Sequence, residues 1–324
     1  MLTSLTGGLL GLLDRRLVLT AWLPSLLCWG GLGALIVTGV GWSPATGWWL
    51  RQPAQFQVTL AALALAWVTL SAYLVAALIP VFIRAGEGYW PSWLSWLYRR
   101  RQARHRERQA AMDDPEVFAR RYFDYPLVND RVLPTRLGNI LRAAEDHALE
   151  RYEINAVVVW PRLYVVLPDP FVAAIAAAKT PLDLMSVMGA LASVFAVCGT
   201  IVSAILLPWY AAVACFGGGV LIMWLTYIGA VQTARPYAQL VRAAFDVHRG
   251  LLLDATGLKR PRSYGEERRQ WEQISHLWYQ GAPAGPGGAD LLGYPSGRTH
   301  SRPPASSASS KPDGADDAHL RRRP

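Results

Sequence analysis

Val58–Ile83 reads VTLAALALAWVTLSAYLVAALIPVFI, 26 residues without one Asp, Glu, Lys, Arg or His. An apolar run of that length crosses a hydrocarbon core of about 30 Å as a helix, which satisfies every backbone polar group internally. Three further uncharged runs share the pattern: Leu17–Val40, Leu184–Leu207 and Ala211–Val231. The expected fold is mainly α, a four-helix transmembrane protein of two hairpins with a small helical or mixed cytoplasmic insert. With 52% hydrophobic and 17% charged residues, the composition belongs to the same class. The run at 17–40 is too long for a signal-peptide core and no small-x-small cleavage site follows it, so it reads as a retained span. Pro24 is placed to kink it.

The cationic residues orient these spans. Arg15 and Arg16 precede the first, Arg84 and Arg99-Arg100-Arg101 follow the second, and Arg235 and Arg242 follow the fourth, whereas the two short connecting loops carry only Arg51. Arginine-rich flanks stay inside, so both termini and the insert are expected in the cytoplasm of a cell with a multi-pass inner membrane protein. The same placement accounts for the net charge of +9 without nucleic acid. The resulting organisation is an N-terminal segment and first hairpin at 1–87, an insert at 88–182, a second hairpin at 183–233, cytoplasmic helices at 234–280 and a disordered Gly/Pro/Ser/Ala tail at 281–324.

Within the insert, GYWPSWLSWLY (88–98) runs into six arginines between Arg99 and Arg108. Aromatics beside a basic run predict an interfacial helix whose Arg99, Arg100, Arg101 and Arg104 contact anionic lipid headgroups, or a plain positive-inside anchor. Asp113-Asp114-Pro115-Glu116 predicts an acid-capped helix start. In LPTRLGNILRAAEDHALERY (133–152), Thr135 is the expected N-cap and Leu137, Ile140, Leu141, Ala144 and Ala148 form an apolar stripe. Arg142, Glu145, Asp146, Glu150 and Arg151 are expected on the opposite, solvated side. The β-branched runs at 156–159 and 163–167 predict two short extended segments. Phe171–Lys179 favours helix and is expected to join the third span, with Pro181 as a break. After the fourth span, 235–253 is an amphipathic helical continuation, and Ser263-x-x-Glu266 is a capping box for a helix with Trp271, Ile274 and Trp278 on its apolar side.

LPTRLGN (133–139), RAAE (142–145), Arg151-Tyr152 and VVVWPRL (157–163) together resemble a group of uncharacterised integral membrane proteins of high-GC actinobacteria. The resemblance implies a bacterial inner-membrane location and an insert that is a defined unit; it implies no enzyme, substrate or cofactor.

No HExxH, phosphate loop, G-x-S-x-G or CxxC pair occurs, so no catalytic, metal or cofactor residue is assigned. Cys28, Cys198 and Cys215 lie far apart inside spans as small apolar residues. The polar candidates for function are Asn139, Glu145 and Arg162 in the insert and Asp183 at the water-accessible edge of the third span. Thr200, Ser203 and Thr226 are expected to bond back to their own helices rather than line a pore. The expected partners are membrane lipids of the anionic inner leaflet and further copies of the chain, with no small-molecule ligand identified. The expected role is a non-enzymatic oligomeric scaffold, ahead of an oligomeric channel with a cytoplasmic vestibule and, last, a lipid-acting membrane enzyme.

Overall fold

A computed structural model describes residues 15–110, 122–285 and 287–294. The acid-capped start at Asp113 and most of the tail lie outside these residues. Among the described residues four helices are long and apolar enough to cross a membrane, and the chain is a multi-pass helical membrane protein. The first span begins with a π-wound turn, Val18–Trp22, and continues as α1, Leu23–Val40. Pro24 has no N–H to offer the preceding turn, and the widened winding absorbs that loss, with the Leu23 N–H reaching back to the Val18 carbonyl. A short helix α2, Trp42–Arg51, occupies the stretch expected to be a loop. The second span is α3, Ala54–Ala77, continued after a one-residue turn by α4, Ile79–Glu87. Indole N–H groups link the two spans, from Trp29 to the Ser71 hydroxyl at 3.0 Å and from Trp22 to Thr69 at 3.3 Å.

Next come α5, Ser95–Ala110; α6, Arg136–Tyr152; α7, Ala156–Val166; α8, Asp169–Leu206; α9, Trp209–Ala255; and α10, Tyr264–Gln280. At a 1.5 Å rise per residue, α8 with 38 residues and α9 with 47 are about 57 and 70 Å long, well beyond a bilayer core. Both therefore project as continuous rods from the membrane into the extramembrane unit. Pro181 does not break α8, and Pro236 is likewise carried inside α9. Pro208 closes the tight turn between them by opening α9 at its N-cap.

Among the described residues there is no strand, so the two extended segments are a correction. Both fall in α7, whose Ala156, Val159 and Leu163 are buried at helical spacing. A short apolar run does not distinguish strand from helix by itself, and packing against α9 and α10 decides for the helix. Pro161 leaves the Val157 carbonyl without its helical donor, at a residue that is 68% exposed.

Three apolar clusters stack along the molecule. Cys28, Leu32, Val187 and Leu191 pack within the spans. Leu137, Ile140, Ala144, Leu182, Ala230 and Ala234 form a middle layer at the span ends. Below them Phe245, Leu253, Trp271 and Ile274 anchor the core of the extramembrane unit, in which α7 and α10 cover α9. Past residue 281 a 3₁₀ turn, Gly288–Leu292, lies against α10, and Leu292 packs on this core.

Candidate functional site at the membrane junction

The LPTRLGN stretch joins the spans to the extramembrane unit, and almost every residue in it has a defined contact. Thr135 caps α6 as expected, accepting the Gly138 N–H at 3.0 Å. Its hydroxyl also donates to the Glu87 carbonyl at 2.7 Å, which ties the end of α4 to the start of α6. Gly88 ends α4 at φ +102°, where the Pro134 ring lies against it and leaves no space for a Cβ. Gly138 faces the Glu87 carbonyl directly. Asn139, fully buried, accepts the Leu133 N–H at 2.6 Å and donates to the Leu133 carbonyl at 3.0 Å. That reciprocal pair fixes the loop entering α6, so Asn139 positions backbone. It faces no cavity.

Ion pairs extend the junction. Arg235 of α9 grips Asp124 with two hydrogen bonds, 3.2 and 2.9 Å long, and Arg136 of α6 reaches the same carboxylate at 3.2 Å. Arg242, read from the sequence as a cationic flank of the fourth span, is buried; it donates to the Phe123 carbonyl at 3.0 Å and stacks over the Phe123 ring. Asp246 accepts from Tyr152 and faces His147, both at 2.9 Å. Burial pulls the His147 imidazole below its usual range.

Two acidic residues depart from expectation. Asp146 is not on a solvated face but 2% exposed, with Arg131 at 2.7 Å and Arg142 at 3.9 Å. Neither of its oxygens gains an aligned hydrogen bond among the described residues, so desolvation outweighs the two guanidinium groups and raises its pKa to about 6. Asp183 does not reach water either. It is 3% exposed and ion-paired to Arg16 at 2.6 Å and to Lys179 at 3.6 Å, pinning the first span to α8.

The Asp146 carboxyl gives a pH prediction. In the unfolded chain it titrates near 3.9 and in the fold near 6, so between these values the native state holds a proton that the unfolded state has released. Its favourable contribution is complete in acid and lost as pH rises through 6. Asp146→Asn is expected to remove that slope, a difference on the order of 2 kcal/mol between about pH 4 and pH 7, read from melting curves of both proteins. Parallel pH profiles would count against it.

Between α4, α6, α7, α8 and α9 lies a cavity of about 320 Å³ at the level where α4 leaves the second span. Its walls are mostly apolar, with Ile83, Leu141, Trp160, Leu182, Val241 and Phe245, and its polar groups are Glu87, Glu145, Lys179 and Tyr237. Burial, reinforced by Glu145, raises the Glu87 carboxyl to about 7 against the pull of Arg84 and Arg142.

Of the polar candidates read from the sequence, only Glu145 lines this cavity, held by Arg142 at 3.0 Å. Asp183 sits beside it through Lys179. Arg162 turns elsewhere, donating to the Val158 carbonyl at 2.7 Å and stacking on Trp278 at 4.7 Å. Glu87 was missed, although the sequence marks it as the one acid between Asp14 and Glu107.

On α5, Arg99, Arg100, Arg101 and Arg104 are exposed beside exposed Trp93 and Trp96. The docking face of this helix is polar: Gln102 donates to the Val132 carbonyl at 2.8 Å and His105 meets the Tyr125 hydroxyl at 3.0 Å. Among the described residues no group of His, Cys, Asp and Glu is placed to hold a metal ion. Comparisons of the chain with protein-family models, with curated proteins and with solved structures find no match.

Proposed function

We propose that the protein is a non-enzymatic scaffold of a bacterial inner membrane that assembles as a homo-oligomer, with both termini and the extramembrane unit in the cytoplasm. The carrying observation is a pair of open glycine sites on two of the spans. A Cβ at Gly30 or Gly33 of α1, or at Gly217 or Gly218 of α9, would meet nothing within 4 Å. Their neighbours are consumed inside the chain: Gly31 faces Phe195 and Gly219 faces Ala196, at 3.1 and 2.5 Å from a built Cβ. Glycine weakens a helix unless close packing uses the missing side chain, so the open set suits a second copy. The arginines of α5, with the exposed Trp93 and Trp96 at its start, suit an anionic inner leaflet, which also supports the cytoplasmic orientation.

Hydroxyls inside the spans favour the scaffold over a pore. Thr226 donates to the Met223 carbonyl at 2.9 Å, Thr200 to that of Ala196, and Ser203 meets Cys215 of the adjacent span at 3.2 Å. They are occupied within the protein. Native mass spectrometry from a mild detergent is expected to record oligomers, and Gly217→Leu with Gly218→Leu to weaken association at least about tenfold while helicity is retained. A wild-type protein that is monomeric throughout would refute the reading.

A further inference from the structure

The cavity beneath α4 has a feature that the scaffold reading does not use: a half-buried carboxylate, Glu87, on a mostly apolar wall, with charged groups near it but none in ion-pair contact. Glu87 contributes its backbone carbonyl to Thr135, but among the described residues its side chain makes no ion pair and no hydrogen bond. The other charges around the cavity are answered. Glu145 is paired with Arg142, and Lys179 with Asp183. A half-buried carboxylate is costly without a cation, and the space beside it is open.

We propose that this cavity binds a primary alkylammonium, the ammonium seated between Glu87 and Glu145 and the alkyl chain lying along Ile83, Leu182 and Trp160. An inorganic cation fits poorly, because calcium or magnesium takes about six oxygen ligands and the lining offers few. An ammonium group has three N–H donors for the two carboxylates, and Tyr237 and Phe245 line the same space. A volume of about 320 Å³ holds roughly ten carbon-sized groups, enough for the head and first methylenes of an amphiphile. The chemistry is shared by an aminophospholipid headgroup entering from the bilayer and by a free aliphatic amine from water.

Binding requires ionised Glu87. The groups that face it are Arg84 on α4, Glu145 and Arg142 on α6, Lys179 with Asp183 on α8 and Tyr237 on α9; α7 contributes only Trp160 and aliphatic carbon. With its carboxyl at about 7 in the empty site, affinity is expected to fall about tenfold from about pH 8 to about pH 6.

The test is calorimetric titration of the full-length protein in maltoside detergent with hexylamine and with hexanol, which has the same chain without the charge. Hexylamine is expected to bind at least about tenfold more tightly, and Glu87→Gln to erase that preference while Glu107→Gln on α5 keeps it. Equal affinity for amine and alcohol in the wild-type protein overturns the proposal without recourse to any variant, as does unchanged amine binding in Glu87→Gln. Native mass spectrometry after purification from mixed phosphatidylethanolamine and phosphatidylcholine separates the sources. Retained phosphatidylethanolamine displaced by hexylamine assigns the lipid, whereas hexylamine binding with no retained lipid assigns a free amine; binding of neither overturns the site. Failure here leaves the oligomer experiment untouched.

Discussion

Gly138→Val is expected to prevent α6 from docking on the spans, at a cost of about 3 kcal/mol or more. A Cβ built on Gly138 overlaps the Glu87 carbonyl oxygen, and the carbonyl carbon lies only 3.0 Å away. Overpacking is mild when a flexible side chain can yield, but here both partners are backbone. Glu87 cannot retreat, because its carbonyl is held by the Thr135 hydroxyl and its C-terminal neighbour Gly88 is wedged against Pro134. The expected readout is loss of a monodisperse detergent-solubilised species and a lower melting midpoint. Gly265→Ala, where a Cβ meets nothing, is the control and should be neutral or slightly stabilising. A Gly138→Val protein that melts with the wild type would mean that α4 and α6 do not meet at this point.

That junction explains what the sequence could and could not reveal. The spans were legible because an uncharged run of 26 residues has few other physical uses. So were the caps: Thr135 accepts from Gly138, and Ser263 accepts from Glu266 at 3.2 Å. Cap chemistry is local, and so is its signal. The continuation of α9 was readable from its amphipathic pattern, and that of α8 from its Ala-rich approach, but Pro181 was read as a break and lies inside α8.

Nonlocal effects were invisible. Val157-Val158-Val159 is β-prone, yet its fate was set by α9 and α10, far along the chain. Asp146 belongs by its helical position to the solvated side with Arg142, but Arg131, outside α6, covers it. Arg242 lies on the same continuation of α9 as Phe245, and only the loop carrying Phe123 shows why a guanidinium is buried there. Charges were assigned to water by default, and the junction buries several of them. The cavity was lost for a related reason. Its lining comes from five helices between Ile83 and Phe245, and no single stretch contains more than a fragment.

Trp271→Ala is expected to release α10 from the extramembrane unit, at a cost of about 4 kcal/mol. Trp271 is fully buried and among the largest side chains in a core shared with Phe245, Leu253 and Ile274. Truncation removes the largest side chain by which α10 adheres and leaves Ile274 and Trp278 of this helix on the core. The polar links that hold α10 are few: the Asn155 N–H to the Ser275 hydroxyl at 3.1 Å, Gln270 to the Lys259 carbonyl at 2.8 Å, Arg249 to Glu267 at 2.7 Å and Arg268 to Glu153. Partly exposed pairs of this kind contribute little alone. The spans keep their own cluster around Val187 and Leu191, so the damage should be confined. Hydrogen exchange is expected to accelerate strongly across Tyr264–Gln280 and along α7, with α3 and the membrane half of α8 unchanged. Trp271→Phe separates volume from hydrogen bonding. Because the indole N–H has no partner among the described residues, phenylalanine loses volume but relieves an unsatisfied donor, and its cost should be about 1 kcal/mol. Uniform acceleration in every helix of Trp271→Ala would instead identify one cooperative unit, with the rods α8 and α9 transmitting the loss of the core into the membrane.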